Sequence, residues 1–519
     1  MMQDTEIITC AQMRAIESAA MGSGAVTGLE LMMRAGRAVA GQIRLRWPRP
    51  GRATVLCGQG NNGGDGYVIA VALSDAGWDV RVLGDPTRTG SDAAAARAAW
   101  DGPVLPLTYA NLRAGPSSDI YVDAILGTGL TRPPEGEVAA VLRHLGGDAG
   151  FYRPRLVAVD APSGLCLDSG QVLGVGRGIL PPDALRVAIT VTFDSPRPGH
   201  LLEHGPTVCG KLVVADIGLE PFRTTQAATL TALWPRFQIP DRRLRASANG
   251  DWLRKKNVGA GHKYSHGSAL VIAGGPGTGG AARLAARAAL RVGAGLVTLG
   301  PTPDALAEHA LPPDALMRRP IVDADALTEM LSDQRLRGLC IGPGCGVPRA
   351  KALLPAACAA DRPMVLDADA LTAFAEAPLP LPKDCVLTPH QGEFARVFPD
   401  LAKELSRLGG PDKVSVLRLA AQRSKAIVLL KGPDTVIAGP EGQAAIHSDA
   451  NIPWLATAGA GDVLAGMIAG LLARGLPAFN AACVAVSLHA AAARHHGSGL
   501  IADDLPDALP AVLRDWPDR

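Results

Sequence analysis

The sequence is short of aromatic residues, carries no surplus of charge, and has neither a long apolar run nor cysteines paired at short spacing. Each shortage excludes something. Aromatics make up 4% of the 519 residues while glycine occurs 60 times and 47% of the chain is hydrophobic. That balance argues against a β-sandwich or a disordered chain, and for helices packed on parallel sheets with many tight strand-to-helix turns. With 51 basic residues against 49 acidic ones the formal net charge is +2, so neither a nucleic acid nor an anionic membrane is expected as a partner. The nine cysteines lack the spacing of a zinc site and read as buried thiols. The longest apolar helix candidate, Val463 to Ala473, is well short of the ~20 residues that a bilayer demands. The opening MMQDTEIITCAQMRAIE has no basic stretch followed by an apolar run. A soluble protein of a reducing cytoplasm is the expectation.

A chain of this length exceeds what one hydrophobic core sustains, so two domains are expected. Helix candidates at 12–21 and 28–44 come first; in the second, Met32, Ala35, Val39 and Ile43 recur at helical spacing. Short β-rich runs then alternate with glycine turns and helices: 53–57, 80–83, 120–124, 156–160, 189–193 and 211–215. A second such series occupies 269–273, 296–299, 339–342, 364–367, 386–388, 427–431 and 436–438. Between the two, a stretch with Pro235, Pro240 and a run of arginines loses all periodicity. The predicted layout is an α/β domain at 1–235, a linker at 236–250 and a second α/β domain at 251–519. Residues 303–335 and 376–383 read as surface connections, and no repeat of fixed period is present.

In the first half, the strand ATVLC runs into GQGNNGGDG and then a helical stretch. A strand, a glycine loop and a helix start present backbone N–H groups and a helix dipole to an anion. Asn61, Asn62 and Asp65 add side-chain oxygens that suit a ligand or a hard cation. Two further strand ends supply Asp123, with the loop GTGLTR, and Asp160, followed by APSGL. One strand-end aspartate is more often a cap than a catalyst; several on one carboxyl edge favour a shared site.

These motifs closely resemble the epimerase domain of the NAD(P)H-hydrate repair enzymes over residues 5–230. The resemblance implies a Rossmann-like three-layer αβα fold. It also implies that Asn61, Asn62, Gly63, Gly64 and Asp65, with Gly127, Thr128, Gly129, Leu130, Thr131, Arg132 and Pro133, contact the hydrated nicotinamide nucleotide. By the same resemblance Asn62, Asp123 and Ser163 hold a potassium ion, and Asp160 is the acid/base. Ala161 stands where that family usually has a branched residue.

The second half carries GGPGTGGAARLAARAALRVGAG after a strand, then GPGCG, DADAL from Asp367 and TPHQGEF at further strand ends. Turn chemistry, and a helix cap for Asp367 and Asp369, are the plain alternatives there. The strongest signal is LATAGAGDVLAGMIAGLLARG, residues 455–475. Gly459, Ala460 and Gly461 leave backbone N–H groups uncovered at an apolar helix start, where a phosphoryl group meets the positive end of the dipole. Asp462 beside it can accept a proton from an attacking hydroxyl. Upstream, Lys431 in LLKGPDTVIAG can neutralise phosphate charge. His489, His495 and His496 read as solvated, not metal-binding.

This ordered set resembles the ribokinase-like fold, and within it the ADP- or ATP-dependent NAD(P)H-hydrate dehydratase domain, over 245–515. The resemblance implies that Lys431, Gly432, Pro433, Asp434, Thr435 and Gly461 contact the adenine nucleotide, taken with magnesium. Ala282, Gly344, His390 and Asp462 contact the hydrated cofactor, with Asp462 as the catalytic carboxylate. Gln391, Ala458 and Ala460 depart from the usual pattern. The expected whole is a bifunctional repair enzyme and a homo-oligomer. It would interconvert the two hydrate epimers of NADH or NADPH and dehydrate one of them at the expense of ADP or ATP. The alternative is a ribokinase-like kinase for a small vitamin precursor, with the first half as an accessory nucleotide-binding or scaffolding domain.

Overall fold

The computed structural model describes residues 6–87, 90–174, 180–223, 230–233, 255, 262–407, 410–449 and 451–515. The chain divides into two compact units, residues 2–244 and 245–519. The stretch 236–250, expected as a linker, lies outside the described residues.

The first unit is built on strands β1 (Arg52–Cys57), β2 (Asp79–Gly84), β3 (Val104–Leu105), β4 (Ile120–Ala124), β5 (Leu156–Val159), β6 (Ile189–Phe193) and β7 (Lys211–Ala215). They form a parallel sheet in the order β3-β2-β1-β4-β5-β6-β7. The strands are apolar on both faces because both faces are covered: Ala53, Val55 and Cys57 of β1 enter one core and Leu56 the other. The order reverses between β1 and β4, so the crevice at their carboxyl ends is where such a sheet places a ligand. Helix Gly28–Arg46 starts on a reciprocal cap between Thr27 and Glu30 and buries the predicted face, Met32, Ala35, Val39 and Ile43. A short strand β8 (Leu230–Ala232) follows, its Leu230 carbonyl accepting from the Ile7 N–H at 3.0 Å.

In the second unit β9 (Ser268–Ile272), β10 (Leu296–Gly300), β11 (Met317–Arg318), β12 (Leu336–Ile341), β13 (Met364–Leu366), β14 (Cys385–Leu387) and β15 (Ile427–Leu430) run parallel. Then β16 (Asp434–Ala438) and β17 (Ala444–Ser448) continue the sheet antiparallel. The reversal of order falls between β9 and β12. Helices Gly279–Arg291 and Ala460–Ala473 pack so closely that a Cβ on Gly466 would lie 2.0 Å from the Ala285 carbonyl oxygen. Only glycine permits that approach.

Two expectations are corrected here. Residues 303–335 are not a bare surface connection: they hold a 3₁₀ turn (Pro303–His309), β11 and helix Ala324–Leu331, which buries Leu327, Met330 and Leu331 at helical spacing. His489 is not solvated. Helix Ala478–His496 is rich in alanine and buried along most of its length, which takes His489 inside. Among the described residues no helix is long and apolar enough to cross a membrane.

Candidate functional site

Each unit gathers polar residues at the carboxyl ends of its parallel strands. In the first, Gly58 to Gly60 follow β1 and helix Asn61–Asp75 begins immediately. A Cβ on Gly63 would sit 1.9 Å from the Gly58 carbonyl oxygen, so the loop folds onto the helix start only because position 63 is glycine. A cleft of about 530 Å³ opens there, lined among others by Glu17, Asn61, Asn62, Asp65, Gly127, Thr128, Gly129, Leu130, Asp160 and Arg197. Thr131, Arg132 and Pro133 stand exposed beyond it.

Asp160 holds a left-handed backbone, φ 64°, directly after β5. That conformation is costly for a non-glycine residue and needs support from its surroundings. Support comes from three sides: its N–H donates to the Val191 carbonyl at 2.8 Å, and its own carbonyl accepts from His200 Nε2 at 2.8 Å. Its carboxylate accepts from the Thr192 hydroxyl at 2.8 Å and the Thr128 N–H at 3.2 Å. Since the Arg197 N–H donates to His200 Nδ1, the proton of that ring sits on Nε2. Burial pushes His200 down to about 4, so it stays neutral. Asp65 is largely buried, and burial, followed by the charge of Asp160, holds its carboxyl well above the usual range.

Asp123 binds the loops after β4 and β5 together. Its carboxylate accepts from the Ser163 N–H at 2.7 Å, the Ser163 hydroxyl at 2.6 Å and the Ile125 N–H at 3.3 Å. Burial raises it to about 6 despite those bonds. Asn62 points its amide toward Gly127, and its Nδ2 is buried without a hydrogen-bond partner. Among the described residues no three His, Cys, Asp or Glu side chains cluster as a metal site. The oxygen set of Asn62, Asp123 and Ser163 is of the kind that suits a hard cation.

In the second unit the polar residues come from four places along the chain. Gly459 is left-handed, φ 89°, and opens helix Ala460–Ala473, with Asp462 in its first turn. Lys431 follows β15, and its Nζ lies 3.2 Å from where a Cβ on Gly461 would be. The same ammonium lies 2.7 Å from Asp367 Oδ1 and 3.8 Å from Glu393 Oε2. Asp367 occupies the cap position of helix Ala368–Glu376, yet its side chain makes no capping bond. Burial works against the Lys431 charge, but Asp367 and Glu393 outweigh it and hold the ammonium above its ordinary value. Burial and then the charge of Asp367 push Asp462 up to about 6, with Lys431 pulling the other way.

The remaining residues divide between exposed and buried positions. His390 is exposed and caps helix Gln391–Val397, its Nδ1 accepting from the Gly392 N–H at 2.9 Å. Ala282 is fully buried, and Gly344, φ 59°, packs on Thr278 and Ala281 beside it. Gly432 and Pro433 are exposed; the Thr435 hydroxyl donates to the Gly432 carbonyl at 2.9 Å, and Asp434 pairs with buried Lys413 at 2.8 Å. The amides of Gly277 and Gly279, in the glycine loop after β9, donate to Glu308 at 2.6 and 3.0 Å. His489 hydrogen-bonds the Ala460 backbone, and burial lowers it to about 4. Sequence reasoning missed Glu17, Thr192, Arg197 and His200 in the first site and Glu393 in the second. The run DSPRPGH after β6 was the available signal for two of them.

Comparison with known proteins follows the same division. Residues 28–199 match the family described as YjeF-related protein N-terminus, and residues 269–510 match the one described as NAD(P)H-hydrate dehydratase. The bifunctional NAD(P)H-hydrate repair enzyme of Coxiella burnetii is 36% identical over 508 residues, 95% of this chain and 96% of that protein. The enzyme of that description from Moorella thermoacetica is 35% identical over 552 aligned residues, covering 98% and 97%. A crystal structure of the ADP/ATP-dependent NAD(P)H-hydrate dehydratase from Bacillus subtilis, co-crystallised with ATP and Mg²⁺, is 29% identical with a TM-score of 0.45. It covers 52% of this chain and 97% of that one.

Proposed function

The chain belongs to the bifunctional NAD(P)H-hydrate repair enzymes, and from that premise we propose that Asp160 and Asp462 carry its two reactions, one in each unit. The substrate is NADH or NADPH whose ring has taken up water, leaving a hydroxyl at carbon 6 in either configuration. One unit exchanges the epimers and the other dehydrates one of them.

Hydroxide leaves poorly, and a nucleotide-driven step supplies a better leaving group. The ring hydroxyl oxygen attacks the terminal phosphorus of ADP or ATP while Asp462 takes the hydroxyl proton. AMP or ADP departs. The carbon–oxygen bond then breaks, inorganic phosphate leaves with a proton from the neighbouring ring carbon, and the double bond returns. Supporting this reading is one observation above the rest: Asp462 stands in the first turn of an apolar helix, and the Lys431 ammonium lies 3.2 Å from where a Cβ on Gly461, the residue before it, would be. A carboxyl near 6 can accept a proton at neutral pH and give it back. Lys431 to Thr435 and Gly461 would hold the nucleotide with its magnesium, and Ala282, Gly344 and His390 the hydrate.

In the first unit, Asp160 would move the proton for epimer exchange, with Asn61 to Asp65 and Gly127 to Pro133 around the nucleotide. Potassium would be held by Asn62, Asp123 and Ser163. When bound it would supply a positive charge against the buried Asp123 carboxylate and fix the substrate's oxygens.

The test is direct. Hydrated NADH with ADP or ATP should regain the absorbance of the reduced ring, with one inorganic phosphate released per ring restored, and Asp462→Asn should abolish this. A phosphorylated product leaving the enzyme intact would replace the reading with a small-molecule kinase.

A further inference from the structure

Asp367 is the most deeply buried carboxylate around Asp462, at 1% exposure, and neither resemblance gives it a role. Its position after β13 marks it as a helix cap, but the side chain turns away from its helix and closes on Lys431 at 2.7 Å. Lys431 in turn abuts Gly461, the residue before Asp462. A lone ammonium beside a carboxylate in a buried site closes on it unless something else holds it. We propose that Asp367 is a positioning residue for the dehydration: it anchors the Lys431 ammonium at the start of helix Ala460–Ala473, facing the nucleotide, and keeps it from pairing with Asp462. This rests on the assignment of Asp462 as the proton acceptor.

Charge counting supports the arrangement. One cation faces Asp367, Glu393 and Asp462, so the three carboxylates exceed it by two charges when all are ionised. Asp367 takes the closest contact, and Glu393 also accepts from the His390 N–H at 2.8 Å. Asp462 is left least compensated, and burial, followed by the charge of Asp367, holds its proton up to about 6. Other titratable groups near it are Asp369 in the first turn of helix Ala368–Glu376, Cys340 on β12 and, toward Lys431, His489 on helix Ala478–His496.

Opposite substitutions should therefore move the rate in opposite directions along the pH axis. In the full-length enzyme with hydrated NADH and ADP, Asp367→Asn removes the anchor and one negative charge. The acid limb of kcat should shift to lower pH by about one unit. At neutral pH kcat should fall about tenfold with the KM for ADP within about twofold, because Asp462 becomes the weaker base. Lys431→Met removes the cation instead, and the acid limb should move to higher pH while the KM for ADP rises. Asp367→Glu, which keeps the charge, should leave the limb near its original place. If Asp367→Asn does not fold, the Lys431→Met and Asp367→Glu profiles decide alone. Limbs that stay in place in every variant, while Asp462→Asn is inactive, overturn this proposal and leave the function standing. An active Asp462→Asn overturns the functional reading itself.

Discussion

The two reversal points look alike in sequence and differ in what their glycine loops do. After β1 the loop opens a cleft of about 530 Å³, and the helix beginning at Asn61 has no side-chain cap. After β9 a comparable loop has its Gly277 and Gly279 amides already occupied by Glu308 from the same unit. The helix start that carries Asp462 lies elsewhere in the second unit, at Gly459 to Gly461. A strand, glycines and a helix therefore specify a place where an anion can sit, and the rest of the chain decides whether that anion is a ligand or its own carboxylate. The acids differ too. Asp160 is held by neutral donors, Thr192, Thr128 and the uncharged ring of His200, whereas Asp462 shares a field with one lysine and several carboxylates. The first arrangement suits moving a proton with little change of net charge, the second a reaction in which phosphoryl charge arrives.

The largest expected effect tests whether the units act separately. Asp160→Asn should cut epimer exchange about a thousandfold while the favoured epimer is still dehydrated at the original rate. Asp462→Asn should do the reverse. Exchange can be followed by separating the two hydrates, dehydration by ring absorbance. A single substitution that abolished both would break the comparison.

Next in size is a pair of glycines. Gly63→Ala places a Cβ 1.9 Å from a backbone carbonyl, and should cost about 2 kcal/mol of stability as well as epimer exchange. Gly280→Ala, with nothing within 4 Å of the added carbon, should be neutral or stabilise the second unit by about 0.5 kcal/mol. Calorimetry on both variants reads this directly. Smaller again is His200→Phe, which removes the bond to the Asp160 carbonyl; exchange should slow about tenfold, the equivalent of one ordinary hydrogen bond. Unchanged exchange would mean that Asp160 keeps its left-handed backbone without help.

Most of the architecture was legible because parallel strands buried on both faces leave continuous apolar runs, and because helix Gly28–Arg46 keeps its spacing and its cap. The two-residue strands β3 and β11 are too short to show a period, and β17 mixes alanines with His447, so none was read. The antiparallel end of the second sheet was hidden because Lys431 to Pro433 form a tight connection that gives no sign of direction. Asp160, Asp123 and Asp462 were legible as polar residues at ends of apolar elements. The partners of those residues were not: Thr192 and His200 lie 32 and 40 positions from Asp160, and Asp367 lies 64 from Lys431. Such pairs exist only through the strand order. His489 was misread because an alanine-rich helix can be buried on every side, and its one polar ring then looks like a surface residue.

The smallest predicted effect bears on the contrast most directly. Two amides donate to Glu308, Gly277 first and Gly279 second, and they hold its carboxyl below the ordinary value of 4.5. A carboxyl whose value is lowered by folding stabilises the folded state above its unfolded value, and that contribution disappears as the pH falls through the lowered one. Glu308→Gln should accordingly melt slightly below the parent at neutral pH, and the two melting curves should converge in acid. If the variant instead lost little stability and gained affinity for inorganic phosphate at Gly277 to Gly279, the second glycine loop would be a ligand site held shut by its own chain, and the distinction drawn between the two reversal points would fall.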